Sequence, residues 1–466
     1  KNLENSKHFH FDWKNINMIR FFVIVFISLT PALALGESLN KTLLDAYTNS
    51  NLLAQNRAIL RASDEDVGVA LSSLRPIVTS KLTTKKSDYS RAVTSSTLSS
   101  SVSISADLLI FDSGNKSSTF LAKKQIALGA RQTLKALEQN IFLEAIKSRL
   151  AVTRDIEILS LRIKNVKLIN QELLAVKDRF EVGEVTRTEV AQAEARLAQA
   201  KSSLVEADGN LAISKELFML AVGRYPGDLI KLKDTLKLPE TLSDAVAYGL
   251  EYHPDILRIR YEVKANEYKL SAARGSFGPS MSVGAQLGDS TSYDLNGSVS
   301  LTINLPLYKG GQLNSLLRKA YSAVHASKAS LRQQGLVVHK NIAQSWSQLS
   351  VSKAQLSSNE RQISAAEIAF FGVREEANLG ARTTLEVLDA EQVLFDAQTN
   401  RVILETQSQL AGYQLLASSG KLTAKELNID LENFEVIDYS NSAHKAPSIF
   451  SKEGRKLSQI LKRYSN

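Results

Sequence analysis

The sequence runs to 466 residues, 23% of them charged, with a net charge of +9 and no cysteine. The missing thiol excludes a disulfide framework, a thiolate metal site, a cysteine nucleophile and a lipid-anchored cysteine behind a signal segment. Residues 444–466 hold six Lys or Arg against one Glu, so the basic excess is mostly a tail, and such a tail is a solvated extension more often than a nucleic-acid arm.

Residues 1–17 precede a plausible start at Met18 and are set aside from the fold. Residues 18–36 have the layout of a secretory signal: Arg20 as the positive flank, an apolar run over 21–30, and Ala32-Leu33-Ala34 as a small-x-small cleavage site. The apolar run is too short to span a bilayer. Residues 1–34 are therefore expected to be upstream sequence and signal peptide.

Residues 38–56 and 57–75 read as two helical segments, and Pro76 opens a different pattern. From Thr97 to Ile110 the even positions Leu98, Val102, Ile104, Ala106, Leu108 and Ile110 are apolar, while Thr97, Ser99, Ser101, Ser103, Ser105 and Asp107 are polar. Period two over that length is a strand with an apolar and a polar side. Val78 and Leu82 suggest a partner strand, giving a hairpin over about 77–111. Strands of about ten residues with this alternation fit a tilted membrane strand. A half-buried hairpin of a soluble protein fits the alternation equally.

A long helical region follows over 112–178. All eight prolines lie outside 77–225 and 307–446, so nothing interrupts it. Its 67 residues would reach about 100 Å, roughly three bilayer cores, with Lys, Arg, Glu and Gln along its length. It must stand in water. A glycine turn at Gly183 and a capping Thr186 lead into a returning helix. Val190, Leu197, Leu204, Leu211 and Phe218 form one heptad row, and Ala193, Ala200, Ala207, Ser214 and Ala221 another, the pattern of a left-handed coiled coil.

After a linker at 225–240 the unit repeats. Val176, Gly183, Thr186, Glu189, Val190 and Glu194 recur, 197 positions on, as Val373, Gly380, Thr383, Glu386, Val387 and Glu391. The strand signal returns over about 280–308, with Met281, Val283, Ala285 and Leu287 and then Val299, Leu301, Ile303 and Leu305. A second long helix is expected over 309–375. Its returning helix has looser rows: Val387, Leu394, Arg401, Ser408, Leu415 and Ala390, Ala397, Leu404, Ala411, Ser418. The expected fold is mainly α with a small β part, two helix–hairpin–long-helix units at 35–224 and 241–420, and a C-terminal segment at 421–466. Four strands cannot close a membrane barrel and open edges are not tolerated in lipid, so strands of this kind in a membrane require several chains to share one barrel.

The paired units, the junctions LLIFDSG and LPLYKGG and the turns VGEVTRTEV and LGARTTLEVLDAE resemble the TolC family of outer-membrane efflux and secretion channels, over about 38–430. The resemblance implies a homotrimer in outer-membrane lipid, four strands per chain in a twelve-stranded barrel, and a long α-helical barrel across the periplasm. It also implies a periplasmic adaptor protein, an inner-membrane ABC or RND-type transporter, and no nucleic acid, cofactor or metal. Residue by residue, it implies a periplasmic gate at Glu189, Arg382, Glu386 and Asp389, with Arg382 tied to Glu189 and the other two forming acidic rings. Ala377 stands where some members have a gate tyrosine. The turns Val182, Gly183, Thr186 and Leu379, Gly380, Thr383 are implied to meet the adaptor. Read alone, these charges are ordinary exposed residues near helix caps. Carboxylates gathered around an axis would attract cations and raise one another's pKa values.

The six histidines show no metal spacing, and no GxSxG, HExxH or phosphate-binding loop occurs, so an enzyme is not expected. A trimeric coiled-coil adhesin or envelope scaffold would share the signal and heptads but would not need two hairpins in register with the helix duplication.

Overall fold

The computed structural model describes residues 37–87, 97–232, 236–289, 295–429, 439, 448 and 451–463. The signal segment, and parts of the C-terminal segment and tail read from the sequence, lie outside the described residues.

Helices α1 (Leu39–Asn49) and α2 (Asn51–Ser72) lead in. They divide at Ser50 and not at 56, because the Ser50 side chain accepts from the Leu53 amide and caps α2. Strands β1 (Ile77–Ser87) and β2 (Thr97–Phe111), the long helix α3 (Asn115–Glu181) and the returning helix α4 (Arg187–Val222) complete the first unit. The second unit has the same order: α5 (Leu242–Tyr252), α6 (Pro254–Gly275), β3 (Ser280–Asp289), β4 (Leu295–Asn304), α7 (Gln312–Asn378) and α8 (Thr384–Ser418). A short basic helix, α9 (Lys452–Arg463), lies near the end.

Both long helices have 67 residues, about 100 Å at 1.5 Å per residue. They start three residues later than the sequence suggests. Ser113-Gly114 and Gly310-Gly311 take left-handed backbone, with φ of 53° and 80° in the first unit and 56° and 81° in the second. That turn swings the chain from strand to helix. Asp112 holds it in the first unit, its carboxylate accepting from the Gly114 and Lys116 amides.

The four strands form one antiparallel sheet in the order β1-β2-β3-β4, so the two units join through β2 and β3. Register puts Val78 opposite Ala106, Ala106 opposite Ala285, and Ala285 opposite Val299. Next to this row Leu108, Val283 and Leu301 align, as do Ile104 and Leu287. One side of the sheet is therefore apolar and it is exposed: Val78, Leu82, Val299 and Leu301 are all more than half accessible. The opposite side carries Thr79, Ser105, Gln286 and Ser298. Strands β1 and β4 each have a neighbour on one side only among the described residues. No described helix is long and apolar enough to cross a membrane.

The main core lies midway along the long helices, where Leu43, Phe142, Ile146, Phe218 and Leu422 are at most 1% exposed or fully buried. A second cluster around Ala245, Ile256, Ile342 and Leu415 holds α5 and α6 against α7 and α8. The guanidinium of Arg149, fully buried on α3, donates to Thr42 Oγ1 (2.6 Å), the Glu37 carbonyl (2.6 Å) and the Ile230 carbonyl (2.9 Å). It ties the segments at 37 and 230 to the middle of the long helix. The Glu37 carboxylate in turn accepts from Arg224 at 2.6 Å.

Candidate functional site at the paired helix turns

The α3–α4 and α7–α8 turns are built alike. Gly183 (φ 81°) and Gly380 (φ 79°) take the left-handed position after each long helix. The Gly183 amide donates to the Phe180 carbonyl and the Glu184 amide to the Arg179 carbonyl. The Gly380 and Ala381 amides donate in the same way to Ala377 and Glu376. This pairing satisfies the last carbonyls of the helix. Thr186 and Thr383 then cap α4 and α8, and Glu189 and Glu386 reach back to the cap amides in complete capping boxes. Val182 and Leu379 at the tips are 71% and 86% exposed.

The residues implied as a gate meet partners within one chain. Arg382 donates to Glu376 and to Glu386, both at 2.8 Å. It does not meet Glu189 there; Glu189 accepts from Thr384 Oγ1 at 3.5 Å. Asp389 accepts from Arg196 of α4 at 2.5 Å. The Thr383 amide and then Arg382 hold the Glu386 carboxyl below its ordinary range, and its two carboxylate partners hold Arg382 above its own. Within one chain, the direction for Glu386 is thus opposite to that expected from ring repulsion. Four carboxylates (Glu189, Glu376, Glu386, Asp389) still face two guanidiniums (Arg382, Arg196), so this group of side chains keeps a net negative charge. Ala377 packs in the seam of α7 and α8 with Phe370 and Val387.

Further links between the two helical pairs were not singled out in the sequence. Arg374 of α7 pairs with Glu172 of α3 at 3.6 Å, and Asn165 of α3 donates to Glu391 of α8 at 3.2 Å. Arg162 of α3 lies over the Phe395 ring at 4.6 Å. Helix α8 buries two stripes, one with Val387, Ala397 and Leu415, the other with Leu388, Glu391, Phe395 and Thr399. The second stripe accounts for the looser heptads, because α8 packs on α3 as well as α7. Thr384, Leu388, Glu391 and Phe395 follow one another at helical spacing, a signal that would have marked Glu391 as facing inward.

The family model described as "Outer membrane efflux protein" matches residues 43–224 and 249–421. The chain is 31% identical over 423 residues to outer membrane efflux protein BepC of Brucella suis biovar 1 (strain 1330), covering 87% of this chain and 90% of that protein. It is 23% identical over 404 residues to outer membrane protein TolC of Escherichia coli (strain K12), covering 81% of each. Its fold is similar to that of the CmeC outer membrane channel of Campylobacter jejuni, with a TM-score of 0.75 at 14% identity, over 96% of this chain and 97% of that one.

Proposed function

Since the chain belongs to the outer membrane efflux protein family, and is an export channel-tunnel of the outer membrane of a Gram-negative bacterium, we propose that it works as a homotrimer whose periplasmic end is gated by the α7–α8 turn. The observation that carries the trimer is the four-stranded sheet, exposed on its apolar side and with the outer edges of β1 and β4 unpaired among the described residues. A barrel needs about eight strands or more, and an open edge in lipid leaves backbone groups unsatisfied. Three copies joined β4 to β1 give twelve strands and no edge. Helix α4 supports the same reading, because Val205, Ile213, Leu217 and Leu220 form an exposed apolar stripe that a neighbouring copy would cover.

The family and the fold are those of transport channels, and the chain acts by conduction, without catalysis of its own. The α-helical part extends into the periplasm, behind a cleaved signal segment. In the trimer, Arg382 exchanges an in-turn carboxylate for Glu189 of the neighbouring copy and holds the end narrow. Glu386 and Asp389 line the constriction and favour cations. Opening follows the docking of a periplasmic adaptor on the exposed tips (Val182, Gly183, Thr186, Leu379, Gly380, Thr383), driven by an inner-membrane ABC or RND-type transporter.

The test is membrane extraction followed by native mass measurement of the purified protein. Resistance to carbonate and a mass of three chains are expected. Release by carbonate as a soluble coiled coil would return the account to an adhesin or scaffold.

A further inference from the structure

Glu391 breaks the internal symmetry of the chain. Its counterpart in the first unit, Glu194, has a side chain 53% exposed and pairs with Lys177 at 2.7 Å. Glu391 is 4% exposed. Its Oε1 accepts from Asn165, while its Oε2 has no hydrogen-bond donor among the described residues. A buried, ionised carboxylate with one neutral donor is poorly compensated.

The charged surroundings do not repair this. Helix α3 presents Glu172 and Arg162, α4 presents Arg196, α7 presents Arg374, and α8 itself carries Asp389. Arg374 is held by Glu172, Arg196 is held by Asp389, and Arg162 lies over Phe395. Burial first, and then the charge of Glu172, push the Glu391 carboxyl up from 4.5 to about 7. A cavity of about 40 Å³, bordered by Arg162, Asn165, Arg196 and Gln392, lies against Glu391 and has room for a water.

We propose that Glu391 is a protonation switch at the α3–α8 contact: neutral, it lets α8 stay packed on α3; ionised, it drives the second helical pair away from the first. The inference rests on the reading of α7–α8 as the moving part of a gate. Packed, the contact keeps a proton on Glu391 up to about pH 7; separated, the carboxylate is hydrated and loses it near 4.5. The packed arrangement binds more protons between those values, so it weakens as pH rises from about 4.5 to 7 and changes little above.

The test uses the full-length trimer in planar bilayers at pH 5 and pH 8, for wild type, Glu391→Gln and Glu386→Gln. Wild type is expected to show a ratio of open to closed on the order of fifty- to a hundredfold higher per chain at pH 8 than at pH 5, because the change from about 7 to 4.5 falls largely inside that window. Glu391→Gln should stay low at both values, and Glu386→Gln should keep the pH response. A response that survives in Glu391→Gln, or a conducting wild type that shows none, overturns the proposal. A second readout does not depend on conduction. The chain lacks cysteine, so spin labels at Lys167→Cys and Asp396→Cys, in trimers assembled with an excess of unlabelled copies, report the α3–α8 distance within one chain. A distance that lengthens with pH in wild type but not in Glu391→Gln supports the switch even if no conductance is seen, a result that would count against the channel gate instead. A distance unchanged by pH overturns the switch.

Discussion

At the scale of single residues, the carboxylates of the proposed gate hold structure as well as charge. Glu386 closes a capping box and accepts from Arg382, and Glu189 does the same capping work for α4. Thr383→Ala should therefore cost about 1 kcal/mol in the first turn of α8. Hydrogen exchange of the 384–387 amides should quicken about fivefold, and unchanged exchange would mean that the cap is idle. Arg149 is a stronger case. Its guanidinium satisfies two carbonyls and a hydroxyl in the core, so Arg149→Met should cost about 3–5 kcal/mol and Arg149→Lys should not rescue it. The thermal midpoint of the helical signal reads this loss. Burial pushes the Glu37 carboxyl up, but Arg224 and Thr42 outweigh it and leave the carboxyl below its ordinary value. This part of the stability is present above about pH 4.5 and is lost as pH falls below it. The capping residues were legible in the sequence because glycine and threonine act within four residues of themselves. Arg196 with Asp389 and Glu391 with Asn165 were not, because their partners are set by how the two helical pairs lie together, and Arg382 with Glu376 was not, because it depends on how the turn itself folds back.

At the scale of elements, length was more legible than position. The proline-free stretches gave two helices of the right extent, three residues out of place, because Asp112-Ser113-Gly114 and Lys309-Gly310-Gly311 are spent on the left-handed turn that precedes each helix. The two copies explain each other there: Gly310 shows the backbone that Ser113 adopts at φ 53°. A Cβ at Gly311 would meet no atom within 4 Å, so Gly311→Ala tests the backbone alone. It should destabilise by about 1–2 kcal/mol, read as a lower thermal midpoint, and a neutral result would remove the need for left-handed backbone at that junction. The alternation of β2 predicted its two sides, and the register carries both sides across all four strands. The heptads of α4 matched its buried rows, since α4 buries one stripe; those of α8 were blurred because it buries two.

At the scale of the whole molecule, one chain is incomplete in a way that its sequence already suggested. An apolar sheet face, two open edges and an exposed stripe on α4 have no cover among the described residues. In the proposed trimer the strand edges pair into a barrel, a neighbouring copy covers the α4 stripe, and the apolar face turns to lipid, with the long helices continuing the barrel. The paired turns lie at the far end of helices about 100 Å long, and the proposed gate sets their carboxylates around the trimer axis. The central claim is that this assembly conducts and is held narrow at the α7–α8 turn. Single-channel recording of the purified protein in a planar bilayer, beside Arg382→Ala, tests it most directly. The account predicts a small, cation-preferring conductance that rises in the variant. No conductance from a verified trimer, or a large conductance that Arg382→Ala leaves unchanged, would contradict it.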